Sequence, residues 1–324
     1  MTTTPPVPLP VTGVAASLSP TTRAILWMGL ALVSFSAVAI AGREAGRVLP
    51  ASELVFWRSL VGIAVIGGIY IRQGQRSEGP ATTVLPQHMA RALVHFAAQY
   101  AWLYALMLMP LAELFALEFT APLWVAILAP LFLGERLTRW RIVAALLGFG
   151  GAVVVAEPGL LSGDNHLAAS TGTLFAVASA VGFACSIILT KRLTRVDPAL
   201  RILFWMQVLQ AIIAAVVLGW GGLTRGNWPF VAGWTTSPAV WGLILAFGIA
   251  GLSAHYALTR AIGLVDAITV APMDFLRLPL IAIVGALFYG EVLRPNVALG
   301  AAVVIAANAI NIVADRRARQ HAKT

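Results

Sequence analysis

Two stretches of this chain lie over one another without a gap: LEFTAPLWVAILAPLFLGERL at residues 117–137 and MDFLRLPLIAIVGALFYGEVL at 273–293. They share Phe119/Phe275, Ala126/Ala282, Ile127/Ile283, Phe132/Phe288, Gly134/Gly290, Glu135/Glu291 and Leu137/Leu293. Both are apolar over about 20 residues, the length that crosses a bilayer as a helix. Each ends on Gly-Glu, and each holds prolines (Pro122 and Pro130; Pro279, with Pro272 just before). A membrane unit used twice is the simplest account.

Shorter matches extend the pairing. Val33, Phe35 and Ile40 correspond to Val181, Phe183 and Ile188, and Phe56-Trp57 to Phe204-Trp205. Tyr104-Ala105-Leu106 recurs as Tyr256-Ala257-Leu258. The register changes once between these segments, as a short insertion requires. Apolar helices always align a little by chance, but the shared Gly-Glu ending and the repeated Phe-Trp favour duplication.

Composition agrees with a membrane protein. Hydrophobic residues make up 59% and charged residues 11%, against about a quarter charged in soluble domains. Hydropathy marks ten candidate spans at 24–41, 52–71, 89–109, 112–134, 140–156, 171–190, 200–219, 239–260, 266–289 and 296–314. With the N-terminus in the cytoplasm, sixteen of the 22 Lys and Arg residues fall inside and four outside, and Arg58 and Arg277 lie within spans. That bias fits the positive-inside rule for an even number of spans. It also turns the net charge of +9 towards anionic lipid head groups, so no nucleic-acid partner is needed.

The expected fold is therefore an all-α membrane protein of ten transmembrane helices, built as two inverted five-helix repeats. Five spans per copy is odd, so the second copy enters from the opposite side. Inverted repeats mark secondary transporters, whose sites lie between the halves near the midplane. The expected segments are a disordered cytoplasmic tail (1–23), the first repeat (24–156), an external linker (157–170), the second repeat (171–314) and a basic cytoplasmic tail (315–324). The tail 1–23 is Thr/Pro-rich and lacks the pattern of a signal peptide. The single cysteine, Cys185, excludes an intramolecular disulfide and a cysteine metal cluster, and neither a metal nor a cofactor is expected.

At LFLGERLTRWRIVAALLGFGGAVVV (131–155) the chain resembles the drug/metabolite transporter superfamily, EamA branch. The second copy, FYGEVLRPNVALGAAVVIAANAI, resembles the corresponding C-terminal repeat. The resemblance covers nearly all of the chain after residue 23. It implies ten helices, both termini cytoplasmic, residence in a bacterial inner membrane, and alternating access on amino acids, nucleotide-related metabolites, vitamins or drugs. It leaves open whether the protein is a monomer or a homodimer.

Charges inside a bilayer cost about 2.5–3.5 kcal/mol each on insertion scales and imply a partner or a cavity. Arg58, Glu118, Asp274 and Arg277 are such charges. Arg58 and Glu118 both sit roughly 9 Å inside the outer ends of their helices, so depth nominates them as a pair. Asp274 and Arg277 are three apart, on one face. These four serve either as structural salt bridges or as gating and coupling charges. Pro122 and Pro272 are candidate hinges.

One helix carries a stripe: Arg91, His95, Gln99 and Trp102 fall at i, i+4, i+8 and i+11. Polar groups in line inside lipid must face protein or water, so His95, Gln99 and Trp102 are candidate cavity residues. Phe183, His255 and Tyr256 are the candidates from the second copy. Ser179, Ser186, Thr190, Asn308 and Gly148, Gly150 and Gly151 read as packing residues. The chain has no His-Glu-x-x-His, Gly-x-Ser-x-Gly or Gly-x-x-x-x-Gly-Lys pattern, so it is expected not to be an enzyme or an ATP-driven pump. Aromatic walls with few fixed charges suit a small amphipathic or aromatic metabolite, and within the family it resembles that implies export of neutral or aromatic amino acids or related compounds. Uptake of a flavin-like or nucleoside-containing cofactor is the alternative, with a channel or an intramembrane enzyme behind it.

Overall fold

The structure, a computed structural model, describes residues 20–73, 79–133, 139–161, 166–225, 237–264 and 276–321. Eleven helices occur among them: α1 (Pro20–Gly46), α2 (Ala51–Gln73), α3 (Leu85–Leu108), α4 (Leu111–Glu118), α5 (Ala121–Leu133), α6 (Arg139–Leu161), α7 (His166–Leu193), α8 (Ala199–Arg225), α9 (Pro238–Leu264), α10 (Arg277–Tyr289) and α11 (Pro295–His321). Most are longer than hydropathy suggests. Helix α1 begins at Pro20, inside the expected tail, and α11 continues to His321, through most of the expected basic tail. Helices α6 and α7 likewise occupy all but 162–165 of the expected 157–170 linker.

Six helical segments are long and apolar enough to cross a membrane: Thr22–Gly46, Ala51–Gln73, Leu111–Leu128, Thr171–Leu193, Ala199–Gly221 and Pro238–Leu258. Ile142–Val155, Arg277–Tyr289 and Pro295–Ile310 are apolar but shorter. Helix α3 has the length, yet Gln87, His88, Arg91, His95 and Gln99 make it too polar to join the six. The outer surface is apolar, with Leu146, Leu174, Val216, Trp220 and Leu287 well exposed, as on a protein that meets lipid.

The most extensive pairings are α1 with α9, α6 with α11, α3 with α7, and α2 with α8. Each joins a helix before residue 162 to one after residue 165. The next group includes α5 with α7, α2 with α9, and α3 with α8. The halves thus interlock, and the core between them holds Leu54, Leu106, Leu114, Phe115, Leu117 and Phe247, all fully buried. Where α6 crosses α11 the backbones nearly touch. A Cβ on Gly151 would stand 2.8 Å from the Gly300 carbonyl oxygen, and one on Gly300 would stand 2.6 Å from that of Gly151. Gly148 makes room for Leu123, whereas Gly150 faces open space.

The expected span 112–134 is two helices, broken at Phe119 and Thr120. Pro122 has no N–H to give the Glu118 carbonyl, so a continuous helix loses that rung. The Leu123 N–H then bonds Thr120 at 2.9 Å rather than Phe119, and the Thr120 hydroxyl donates back to the Leu117 carbonyl at 2.6 Å. The Phe119 carbonyl is left to the Asn308 side chain, whose Nδ2 donates to it at 2.8 Å from α11. Asn308 is buried, and it mends the break as well as packing. The other candidate hinge, Pro272, lies outside the described residues, as does Asp274.

Replacing Asn308 by Leu keeps the volume but leaves a buried carbonyl unsatisfied. We expect Asn308→Leu to lower the unfolding free energy by about 1–2 kcal/mol, measured by thermal unfolding in detergent, with Gly150→Ala close to neutral in the same assay.

Candidate functional site

Helix α3 starts at Leu85 with Pro86 in its first turn, where a proline costs no hydrogen bond, and stops where Pro110 follows Met109. Between those ends its stripe meets a different partner at each turn. Nearest the Leu85 end, Arg91 Nε donates to the Thr190 hydroxyl of α7. One turn on, His95 Nδ1 is 3.1 Å from Ser186 Oγ, and its ring stands 5.4 Å from Phe183 and 6.3 Å from His255. Phe35 of α1 lies 5.7 Å from His255. The rings of both halves therefore meet here.

At the next turn Gln99 meets Arg58. Arg58 Nη2 donates to Gln99 Oε1 at 2.9 Å and to Gln210 Oε1 of α8 at 2.7 Å. Arg58 is 4% exposed, and Gln99 and Gln210 are buried with it. Its guanidinium stands 5.9 Å from the Phe247 ring. The depth argument that paired Arg58 with Glu118 is therefore wrong. Depth fixes height along a helix but not the direction a side chain points around it, and Gln99 and Gln210 face Arg58 where Glu118 does not.

Glu118 belongs to the last turn of the column. Trp102 Nε1 donates to Glu118 Oε2 at 2.9 Å, and Arg277 Nη1 is 3.4 Å from Glu118 Oε1. Phe35, Phe115 and Phe119 surround the Arg277 guanidinium at 4.7, 5.3 and 5.0 Å. His95, Gln99, Trp102, Phe183 and His255 thus share one column with Arg58, Glu118 and Arg277. Tyr256 does not belong to it. It is 46% exposed and sets its ring against Trp27 at 5.7 Å, because neighbours on a helix point about 100° apart and His255 takes the inward direction. Pro122 sits at the start of α5, directly after the break.

Each end of the column carries an ionic cluster that the sequence did not disclose. At the Leu108 end, Glu291 accepts from Arg43 and from the Leu111 N–H at 2.8 Å. Arg43 also donates to the carbonyls of Leu106 (2.9 Å) and Met109. Gly290 adopts φ +62°, the left-handed conformation that ends α10, and so turns Glu291 onto the first turn of α4. At the Leu85 end, Asp197 accepts from Thr82 (2.6 Å) and Arg201 (2.7 Å) and meets His88 Nε2 at 2.7 Å. Burial opposes ionisation of Asp197, but those hydrogen bonds and the Arg201 charge outweigh it and hold the carboxyl at about 2.

Gln210, Ser186 and Thr190 were missed as site residues. Gln207 and Gln210 are two amides three apart on an apolar helix, the same signal that marked α3. Among the described residues no group of three or more His, Cys, Asp or Glu side chains is placed to hold a metal.

A family model described as the EamA-like transporter family matches residues 22–156 and again 170–313. A riboflavin transporter of Brucella anthropi is 29% identical over 285 residues, 87% of this chain and 95% of its own length. An S-adenosylmethionine uptake transporter of Rickettsia bellii is 25% identical over 90% of this chain and 94% of its own. The pseudopaline exporter CntI of Pseudomonas aeruginosa is 28% identical over 89% and 95%. A solved crystal structure at 20% identity superposes with a TM-score of 0.60, covering 91% of this chain and 98% of that one.

Double-mutant cycles in detergent test the pairing. Glu118→Gln and Arg277→Gln are expected to couple by about 1 kcal/mol or more, while Glu118→Gln and Arg58→Gln add within about 0.5 kcal/mol. For Asp197, a folded pKa below the usual 3.8 gives stability that is complete above about pH 4 and is lost as pH falls towards 2. Asp197→Asn should therefore melt below wild type at pH 6, by about 2 kcal/mol, with the gap closing between pH 4 and 2.

Proposed function

The chain belongs to the EamA-like transporter family, and from that premise we propose that it is a ten-span secondary carrier that moves a small metabolite by alternating access along the α3 column. The helix pairings carry this reading. Exchanging the two matched halves turns α1–α9 into α7–α3 and α2–α9 into α8–α3, and it leaves α2–α8 and α6–α11 unchanged. That is the pattern two inverted copies produce. Phe35 and Phe183, paired by the repeat, each set their ring against a histidine of the opposite half. The surplus of basic residues on one side supports a bacterial inner-membrane location with both termini in the cytoplasm.

Alternation needs a closure at each end. Arg43 and Glu291 close the Leu108 end. Glu118 and Asp274 are the proposed coupling carboxylates, and Pro122 and Pro272 the hinges beside them.

The proposed cargo is an aromatic metabolite of flavin or nucleoside type. The rings of Phe35, His95, Phe183 and His255 around the amides of Gln99 and Gln210 suit stacking plus hydrogen bonding. The relatives named for riboflavin and S-adenosylmethionine support that class over free amino acids. Export of neutral or aromatic amino acids or related compounds is the second reading, favoured by the exporter among the relatives.

Flux into proteoliposomes of flavins, nucleosides and aromatic amino acids tests the proposal. Saturable flux is expected, and Gln99→Leu should lower it about tenfold, the loss of one polar contact of about 1.4 kcal/mol. Non-saturating flux would indicate a channel, and flux insensitive to a pH gradient would remove the proposed coupling of transport to protons through His95, Glu118 and Asp274.

A further inference from the structure

Among the described residues, the hydrogen-bond partners of Arg58 are neutral amides. A buried guanidinium is normally matched by an acid, and Arg277 has Glu118. Arg58 has two glutamine oxygens, both on Nη2, and its Nε makes no hydrogen bond among the described residues. A guanidinium carries five donors, so most of this one is unspent. The surroundings add positive charge: Arg91, answered by a threonine hydroxyl, and Arg277 both lie with Arg58 within electrostatic reach of His255.

The repeat also shows what lies against the guanidinium. By the Tyr-Ala-Leu register, the second copy holds Gly251 where the first holds Gln99. A Cβ on Gly251 would stand 3.6 Å from Arg58 Nη1. Gln99 accepts from Nη2, and at the matching position, within contact range of Nη1, there is no side chain.

We propose that Arg58, flanked by Gln99, Gln210 and Gly251, binds an anionic group of the transported molecule, a carboxylate or a phosphate. The anion supplies the counter-charge that no described acidic side chain gives Arg58, and the two amides hold the guanidinium in place for it. This rests on the α3 column being the transport path. It adds the charge of the cargo to the ring that the aromatic walls select.

Matched probes on the full-length purified protein test it: FMN against riboflavin, AMP against adenosine, benzoate against benzamide, and inorganic phosphate alone. The readouts are melting temperature and Kd. At least one charged member should bind about tenfold more tightly than its neutral counterpart, the phosphate and carboxylate pairs showing which anion is preferred. Gln210→Glu places an isosteric acid against Arg58. It should raise the melting temperature and shrink that preference to about twofold or less. Arg58→Gln should also abolish it, and Gln210→Glu keeps the test decisive if that variant fails to fold. Equal binding of charged and neutral members, or no binding by any anion, overturns the proposal. So does inorganic phosphate alone matching FMN, which would mean a site for a free ion. If neutral probes bind and Gln99→Leu weakens them while charge makes no difference, the column stands and only the anion assignment fails.

Discussion

A polar side chain inside a bilayer must be answered by protein or by water, and α3 carries four in a line. The packing follows from that requirement. Thr190 and Ser186 of α7 answer Arg91 and His95, Arg58 of α2 together with Gln210 of α8 answers Gln99, and Glu118 next to Arg277 answers Trp102. Apolar contacts discriminate little between helix arrangements in lipid, because a lipid tail is as apolar as leucine. A misplaced charge costs about 2.5–3.5 kcal/mol. The column therefore fixes helix register and rotation, while the apolar exterior fixes only that the chain lies in a membrane.

The break at Phe119 and Thr120 serves the same constraint. A straight helix through 111–133 would keep every backbone bond internal, but Pro122 prevents it. The freed Phe119 carbonyl is held by Asn308 from the far half. A structural interruption next to Glu118 is thereby tied to α11. The Gly-Glu ending is explained on similar terms: Gly290 turns the chain so that Glu291 meets the first turn of α4 and Arg43 together.

Much of this was legible in the sequence. Hydropathy placed a helix in each described part of the expected spans but cut α1 and α11 short and missed the break in 112–134. The stripe at 91, 95, 99 and 102, by contrast, followed from periodicity because all four residues lie on one regular helix. What failed was anything requiring the relative rotation of two helices. Arg58 and Glu118 match in depth, yet Glu118 lies at the end of the short α4, just before a break whose path no periodicity reveals. Tyr256 was grouped with His255 by adjacency, although adjacency separates side chains on a helix. Gln210 shares its helix face with Gln207, and an amide pair on an apolar helix shows no site until the partner across from it, here Arg58, is known.

The central claim is that the polar face of α3 lines a path open to water. In a Cys185→Ser background, single cysteines at His95, Gln99 and Ser186 can be probed with a charged, membrane-impermeant thiol reagent, beside a control at Leu93 on the exposed apolar face. The account predicts labelling at 95, 99 and 186 from at least one side of the membrane, and none at 93. Labelling confined to position 93, or absent from the three column positions on both sides, would contradict it.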